Sequence, residues 1–168
     1  MTQEAKEKLA NEGIGCTTDM LYRRLEIEAK KHWDIYYKQN TVNGYKDRHY
    51  IKTEFSELTE GVALAKEKGT EVVLLDLGCG VGNAFYPLVN EFGCPPLRVQ
   101  CCDFSPRAVG FVKEHESFKE EFIDAKTCDL VKEEIPFAPL TANYCQFIFV
   151  LSAIAPEHFI SVAKKIYD

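Results

Sequence analysis

Within LLDLGCGVGN, residues 74–83, an aspartate stands two positions ahead of three glycines, Gly78, Gly80 and Gly82, that alternate with single residues. Glycines behind a buried strand let the backbone turn sharply and approach a ligand closely. The helix that follows would add its free N-terminal amides and positive dipole end. A pyrophosphate-binding loop spaces its glycines G-x-G-x-x-G, whereas Asn83 occupies the sixth position here. Asp76 argues the same way, because an unpaired carboxylate repels a pyrophosphate and attracts an ammonium. D-x-G-x-G-x-G therefore points away from NAD or FAD and toward S-adenosylmethionine, whose methionine end carries that ammonium.

Two more acids sit where strands should end. Asp103 closes RVQCCD and is placed to accept both hydroxyls of a ribose. Asp129, in CDL, is placed to accept from an adenine amino group, with Phe104 and Leu130 flanking the ring. Each acid alone could be an ordinary polar residue at a strand end; the three together with the loop read as one site.

These residues need elements to hold them. VVLLDL is a short, continuously apolar run of the kind buried on both faces of a parallel sheet. NAFYPLVNEF follows as a crossover helix, RVQCCDF as a second strand, and SPRAVGFVKEH as a helix with Ser105 as N-cap and Pro106 at its first position. FIDAKTCDL reads as a weaker third strand, YCQFIFVL as a fourth, and PEHFISVAKKIYD as another crossover helix. Strand and helix alternate, so the fold class is α/β, a Rossmann-like, doubly wound, mostly parallel sheet. Upstream, residues 19–38 recur apolar at Leu21, Leu25, Ala29, Trp33 and Tyr37, one helical face, and Thr53 to Lys68 suits a second helix stopped by Gly69. The division so implied is an N-terminal helical segment, 1–52, capping a domain over 53–168.

Composition bounds the partners. A formal charge of −6 supplies no global positive field for nucleic acid, so any RNA contact must come from a local patch. The seven cysteines are odd in number, with Cys101 and Cys102 adjacent and no C-x-x-C pair; free thiols in a reducing compartment, and no metal, fit them. The first residues lack an apolar signal core and no run approaches about 18 apolar residues, which argues against a membrane span and for the cytosol or nucleus. His115 and His158, each alone near a helix, read as ordinary surface residues.

With those residues in hand, the chain resembles the methyltransferase-like enzymes that form 3-methylcytidine in tRNA anticodon loops. The resemblance runs from about Leu25 to Tyr167 through HWDIYYKQN, YKDRHY with TEF, LDLGCGVGN, CCDFSPRAV and IFVLSAIAPEHF. EAKKHWDIYYK and CDFSPRAV are most similar to the branch acting on serine tRNAs with seryl-tRNA synthetase. The resemblance implies an S-adenosylmethionine-dependent transfer to cytosine N3 at position 32. It also implies cofactor contacts at Trp33, Tyr37, Gly78, Asp103, Asp129, Leu130 and Ile148. Trp33 and Tyr37, at i and i+4, would then form an aromatic wall over the ligand rather than a plain core stripe.

In the same light Lys46 and Arg48 suit RNA phosphates and His49 or a neighbouring Tyr suits stacking on an unpaired base; the plainer alternative is a solvated loop in which Asp47 pairs with Lys46 or Arg48. Asp47 is the candidate for stabilising the positive charge that develops on the base, with Ser152 as a hydrogen-bond partner. The family's sheet has seven strands, and the last three are expected to be lacking here, leaving an exposed apolar fourth strand. Two alternatives follow: a non-catalytic form acting in cofactor binding or protein association, and a methyltransferase with a small-molecule or protein acceptor.

Overall fold

The computed structural model describes residues 14–167, so the first thirteen residues, including the stretch that argues against a signal sequence, lie outside the described part. Helix α1 (Ile14–Asn40) leads into a 3-10 turn (Thr41–Asn43), then a single helical turn, α2 (Ile51–Glu54), and helix α3 (Ser56–Lys68). The doubly wound part follows as β1 (Val72–Leu77), α4 (Tyr86–Phe92), β2 (Leu97–Asp103), α5 (Pro106–Glu114), β3 (Ile123–Thr127), β4 (Tyr144–Gln146) and α6 (Phe159–Tyr167).

All strands run parallel in the order β3-β2-β1-β4, with β1 at the centre of the expected α/β sheet. Its residues alternate between two apolar layers. Leu74 joins Val99, Cys101, Ile123 and Ala125 on the face packed by α3, α4 and α5, while Leu75 and Leu77 join Cys102, Leu130 and Val162 on the face packed by α6. Burial on both sides explains why the strand is apolar without period-two alternation. Ser105 caps α5 as its sequence position requires, accepting from the Ala108 amide at 3.3 Å, with Pro106 behind it. No helix among the described residues is long and apolar enough to cross a membrane.

Three elements differ from expectation. The inward stripe of α1 begins only near Ala29: Leu21 and Leu25 are exposed, because the helix outruns the α5 surface against which Trp33, Tyr36 and Tyr37 pack. The expected helix from Thr53 to Lys68 breaks at Phe55 (φ −122°, ψ 68°), whose amide closes the preceding turn on Ile51 O at 3.0 Å, and that turn is anchored by the fully buried Ile51. The fourth strand is three residues long instead of running through FIFVL. It pairs only with β1, Leu74 to Tyr144 and Asp76 to Gln146, and one residue further on β1 turns away into the glycine loop. With no strand beyond it among the described residues, the chain from Phe147 leaves the ladder: Phe149 takes φ +61°, Val150 folds back over the loop, and Leu151–Ala153 close a 3-10 turn.

Candidate functional site

The glycine loop leaves the C-terminal end of β1, the end where doubly wound sheets bind ligands. Gly78, Gly80 and Gly82 take φ values of +71°, +57° and +92°, a region that L side chains rarely adopt. The loop is also hemmed in: a Cβ on Gly78 would meet Val150 Cγ2 at 2.4 Å, and one on Gly80 would meet the Tyr37 hydroxyl at 3.0 Å.

Asp76, at the mouth of this loop, is 2 % exposed, and its Oδ2 has no hydrogen-bond partner. Gln146 lies across the β1–β4 ladder with both amide atoms equally unpartnered. Burial pushes the Asp76 carboxyl up to about 7; the neighbouring Gln146 amide, short of a full hydrogen bond, and the more distant Arg48 pull it down, and Asp103 adds to the rise. Unpaired buried polar groups of this kind are rare in folded proteins, and together they offer a donor and acceptors to a polar ligand.

Asp103 is differently employed. Its carboxylate accepts from the Gly80 amide at 2.9 Å and the Ser105 amide at 2.9 Å, so it clamps the glycine loop to the start of α5. Burial nevertheless raises its pKa, against the lowering effect of these bonds. A carboxylate oxygen retains lone pairs for a ligand hydroxyl beyond one amide each. Asp129 accepts from the Val131 and Lys132 amides at 3.1 and 3.3 Å and pairs with Lys132 Nζ at 3.4 Å; Leu130 is buried, and Phe104 and Ile148 are half-buried.

Trp33 and Tyr37 meet with ring centroids 6.0 Å apart and a 31° tilt, and Tyr37 lies on Gly80. Burial, and then the charge of Asp103, raise the Tyr37 hydroxyl's pKa, so it stays a neutral donor at ordinary pH. Asp34, which the sequence did not single out, holds this wall in place. It accepts from Ser105 Oγ at 2.8 Å and pairs with Arg107 at 3.5 Å, and those two partners hold its pKa down.

The segment with Lys46, Asp47, Arg48 and His49 is joined to the loop through Asn83, also unforeseen. Asn83 Nδ2 donates to Asp47 Oδ1 at 2.9 Å and to Tyr45 O at 3.3 Å, and Asn83 O accepts from the Arg48 amide at 2.8 Å. Asp47 is thus held by an amide of the glycine loop rather than by Lys46 or Arg48. Lys46, Asp47 and His49 are exposed and Arg48 is half-buried, its guanidinium 4.9 Å from the Phe149 ring centroid. Ser152 donates to Phe149 O at 2.8 Å, a bond within its own turn. The lone histidines have structural partners: His115 stacks on Tyr86, and His158 Nε2 lies 2.6 Å from Glu26 Oε1. Glu26, Glu157 and His158 do gather ligand-type atoms within 4.8 Å, but on the exposed surface. The sequence signal for Asn83 was its position directly after the third glycine, whereas Gln146 gains its meaning only from the ladder that sets it opposite Asp76. Asp34 carried none, because its value lies in contact with a residue 71 positions away.

A parallel sheet of this order, with an acid-led glycine loop at the carboxyl end of its central strand, Asp103 ending the next strand and Asp129 two residues beyond the third, is a Rossmann-like class I methyltransferase fold. The PH0226 protein of Pyrococcus horikoshii shares the fold at 24% identity, over 78% of this chain and 58% of its own, with a TM-score of 0.50. No protein-family profile matches. The human tRNA N(3)-cytidine methyltransferase METTL6 is 37% identical over 169 residues, 99% of this chain and 57% of its own length. The Schizosaccharomyces pombe tRNA N(3)-methylcytidine methyltransferase trm141 is 37% identical over 161 residues, 92% of this chain and 60% of its own. The tRNA(Thr) (cytosine(32)-N(3))-methyltransferase of Saccharomyces cerevisiae is 31% identical over 94% of this chain and 25% of its own. By sequence the chain is similar to these methyltransferases over nearly all of its own length, and it spans a little over half the length of the first of them.

Proposed function

We propose that this chain is an S-adenosylmethionine-dependent methyltransferase that makes 3-methylcytidine at anticodon-loop position 32, in serine tRNAs, with seryl-tRNA synthetase as a partner, in the cytosol or nucleus. The observation that carries the reading is the unpartnered Asp76 carboxylate at the mouth of three left-handed glycines, with the Lys46–His49 segment tied to the same loop through Asn83. When bound, S-adenosylmethionine supplies an electrophilic methyl group. Asp76 and Gln146 would hold its ammonium and carboxylate end, Asp103 and Asp129 its ribose and adenine, and Trp33 and Tyr37 would cover it; Phe104, Leu130 and Ile148 would complete the apolar walls.

The chain's own residues would then mainly position the acceptor. Cytosine N3 already carries a lone pair, so no dedicated nucleophile is needed, and orientation supplies the rate. Lys46 and Arg48 would hold the RNA backbone and His49 an unpaired base. Asp47, fixed by Asn83, would face the positive charge that methylation leaves on the ring.

Charge reversal tests the acceptor. In K46E/R48E, binding of a serine tRNA transcript should weaken, and the slope of log affinity against log salt should fall by about one for each phosphate that is no longer neutralised. S-adenosylhomocysteine binding should persist. Unchanged tRNA affinity would favour a small-molecule or protein acceptor. An apolar groove on the α6 side, between Phe147, Leu151, Ile160 and Ile166, is the observation behind the other reading, a form acting in protein association. For that reading, tRNA binding would be absent from the wild-type chain.

A further inference from the structure

We infer that Phe149 is the platform on which the substrate base stacks, with Arg48 bracing the ring from one side. Three observations converge on it. Phe149 is 71% exposed although the other three residues of its FIFV segment, Phe147 included, are half-buried. It holds φ +61°, a left-handed conformation that a bulky residue rarely adopts and that persists where surrounding structure demands it. Its ring lies under the Arg48 guanidinium, 4.9 Å from the centroid, and Arg48 is itself pinned to the glycine loop by the hydrogen bond that its backbone amide donates to Asn83 O.

The position matters as much as the exposure. Val150, the next residue, covers Gly78, and Gln146, three residues earlier, faces Asp76. Phe149 therefore stands at the mouth of the glycine loop, on the side where the KDRH segment approaches. A fixed, solvent-facing aromatic ring backed by a guanidinium is the type of surface on which unpaired RNA bases stack, and stacking is indifferent to which base edge faces the chemistry. The left-handed turn is what brings the ring there. In an extended strand, Phe149 and Val150 would point to opposite faces of the sheet; here the chain leaves the ladder and Val150 closes on the loop while Phe149 stays outside.

This inference rests on the RNA reading above and goes beyond it by naming the residue that receives the base. The test measures the affinity of the full chain, with S-adenosylhomocysteine present, for two anticodon stem–loops: one with cytidine at the target position and one abasic there. Variants are F149L, which keeps apolar bulk without a π-face, and F149Y, which restores the ring; S-adenosylhomocysteine affinity and a cooperative thermal transition show that each is folded. The wild-type chain should prefer the cytidine loop, F149L should lose about tenfold on that loop and nothing on the abasic one, and F149Y should recover the preference. If wild type prefers cytidine and F149L keeps the preference, or loses affinity for both loops equally, the platform is overturned while the RNA reading stands. If wild type binds both loops alike, the platform is overturned while the RNA reading stands; if it binds neither, the RNA reading falls with it.

Discussion

Replacing Asp76 by asparagine will weaken S-adenosylhomocysteine binding by roughly 10- to 150-fold, the range expected for losing a hydrogen bond to a charged group. It will also abolish a proton release that accompanies binding in the wild-type chain. The second effect follows from burial. Desolvation pushes the Asp76 carboxyl from the ordinary value of 3.8 up to about 7. An ammonium arriving beside it favours the ionised form, so at about pH 6 binding should expel nearly one proton, and at pH 8 almost none. Titration calorimetry in buffers of different ionisation enthalpy reads that number directly. Asparagine has no proton to lose.

The same shift fixes the sign of a stability effect. The folded chain holds the Asp76 proton more tightly than the unfolded one, so this group's contribution is fully present below about pH 4 and is lost as pH rises through about 7. A shift of that size corresponds to as much as about 4 kcal/mol. Urea midpoints of wild type should therefore decline relative to D76N between pH 5 and pH 8. A wild-type curve that rises relative to D76N over that range would mean that Asp76 is ionised and paired in the free protein.

Gly82→Ala should be the most damaging substitution in the loop. The new Cβ would sit 2.4 Å from Tyr86 Cδ2 and 3.0 Å from Phe85 Cζ, both rings buried, at φ +92°. A left-handed L residue costs about 1–2 kcal/mol and forcing a packed core apart about 1–3, so a loss of roughly 2–5 kcal/mol is expected. Gly69 is the control, since it too has positive φ (+65°) but a Cβ there would meet nothing within 4 Å. G69A should cost only the backbone part, about 1–2 kcal/mol. Thermal unfolding followed by circular dichroism should rank G82A well below G69A; equal losses would show that the rings around Gly82 yield freely.

Local rules made much of this molecule legible beforehand. The buried VVLLDL run, the Ser105–Pro106 helix start and the Gly69 stop depend on near neighbours, and each sits where its chemistry requires. What the sequence concealed depends on distant partners. Leu21 and Leu25 have the right period for burial, but α5 lies beneath only the C-terminal half of α1. FIFVL has the composition of a strand, yet β1 runs out beside it and leaves Phe149 in a left-handed turn. Asp47 was legible as a charged residue in a basic segment, but its bond to Asn83 spans 36 positions. The acid-led glycine loop was readable because its function is written in backbone conformation, which glycine spacing reveals. Asp34 and Gln146 matter through neighbours that no spacing encodes.

On the function proposed above, the acid-led loop and the segment tied to it serve methyl transfer to a tRNA cytidine. The most direct measurement is nucleoside mass spectrometry of a serine tRNA transcript incubated with this chain and S-adenosylmethionine, with and without seryl-tRNA synthetase. The expected product is 3-methylcytidine that depends on the chain and disappears when the transcript carries uridine at position 32. A chain that binds S-adenosylhomocysteine yet leaves that cytidine unmethylated under both conditions would contradict it.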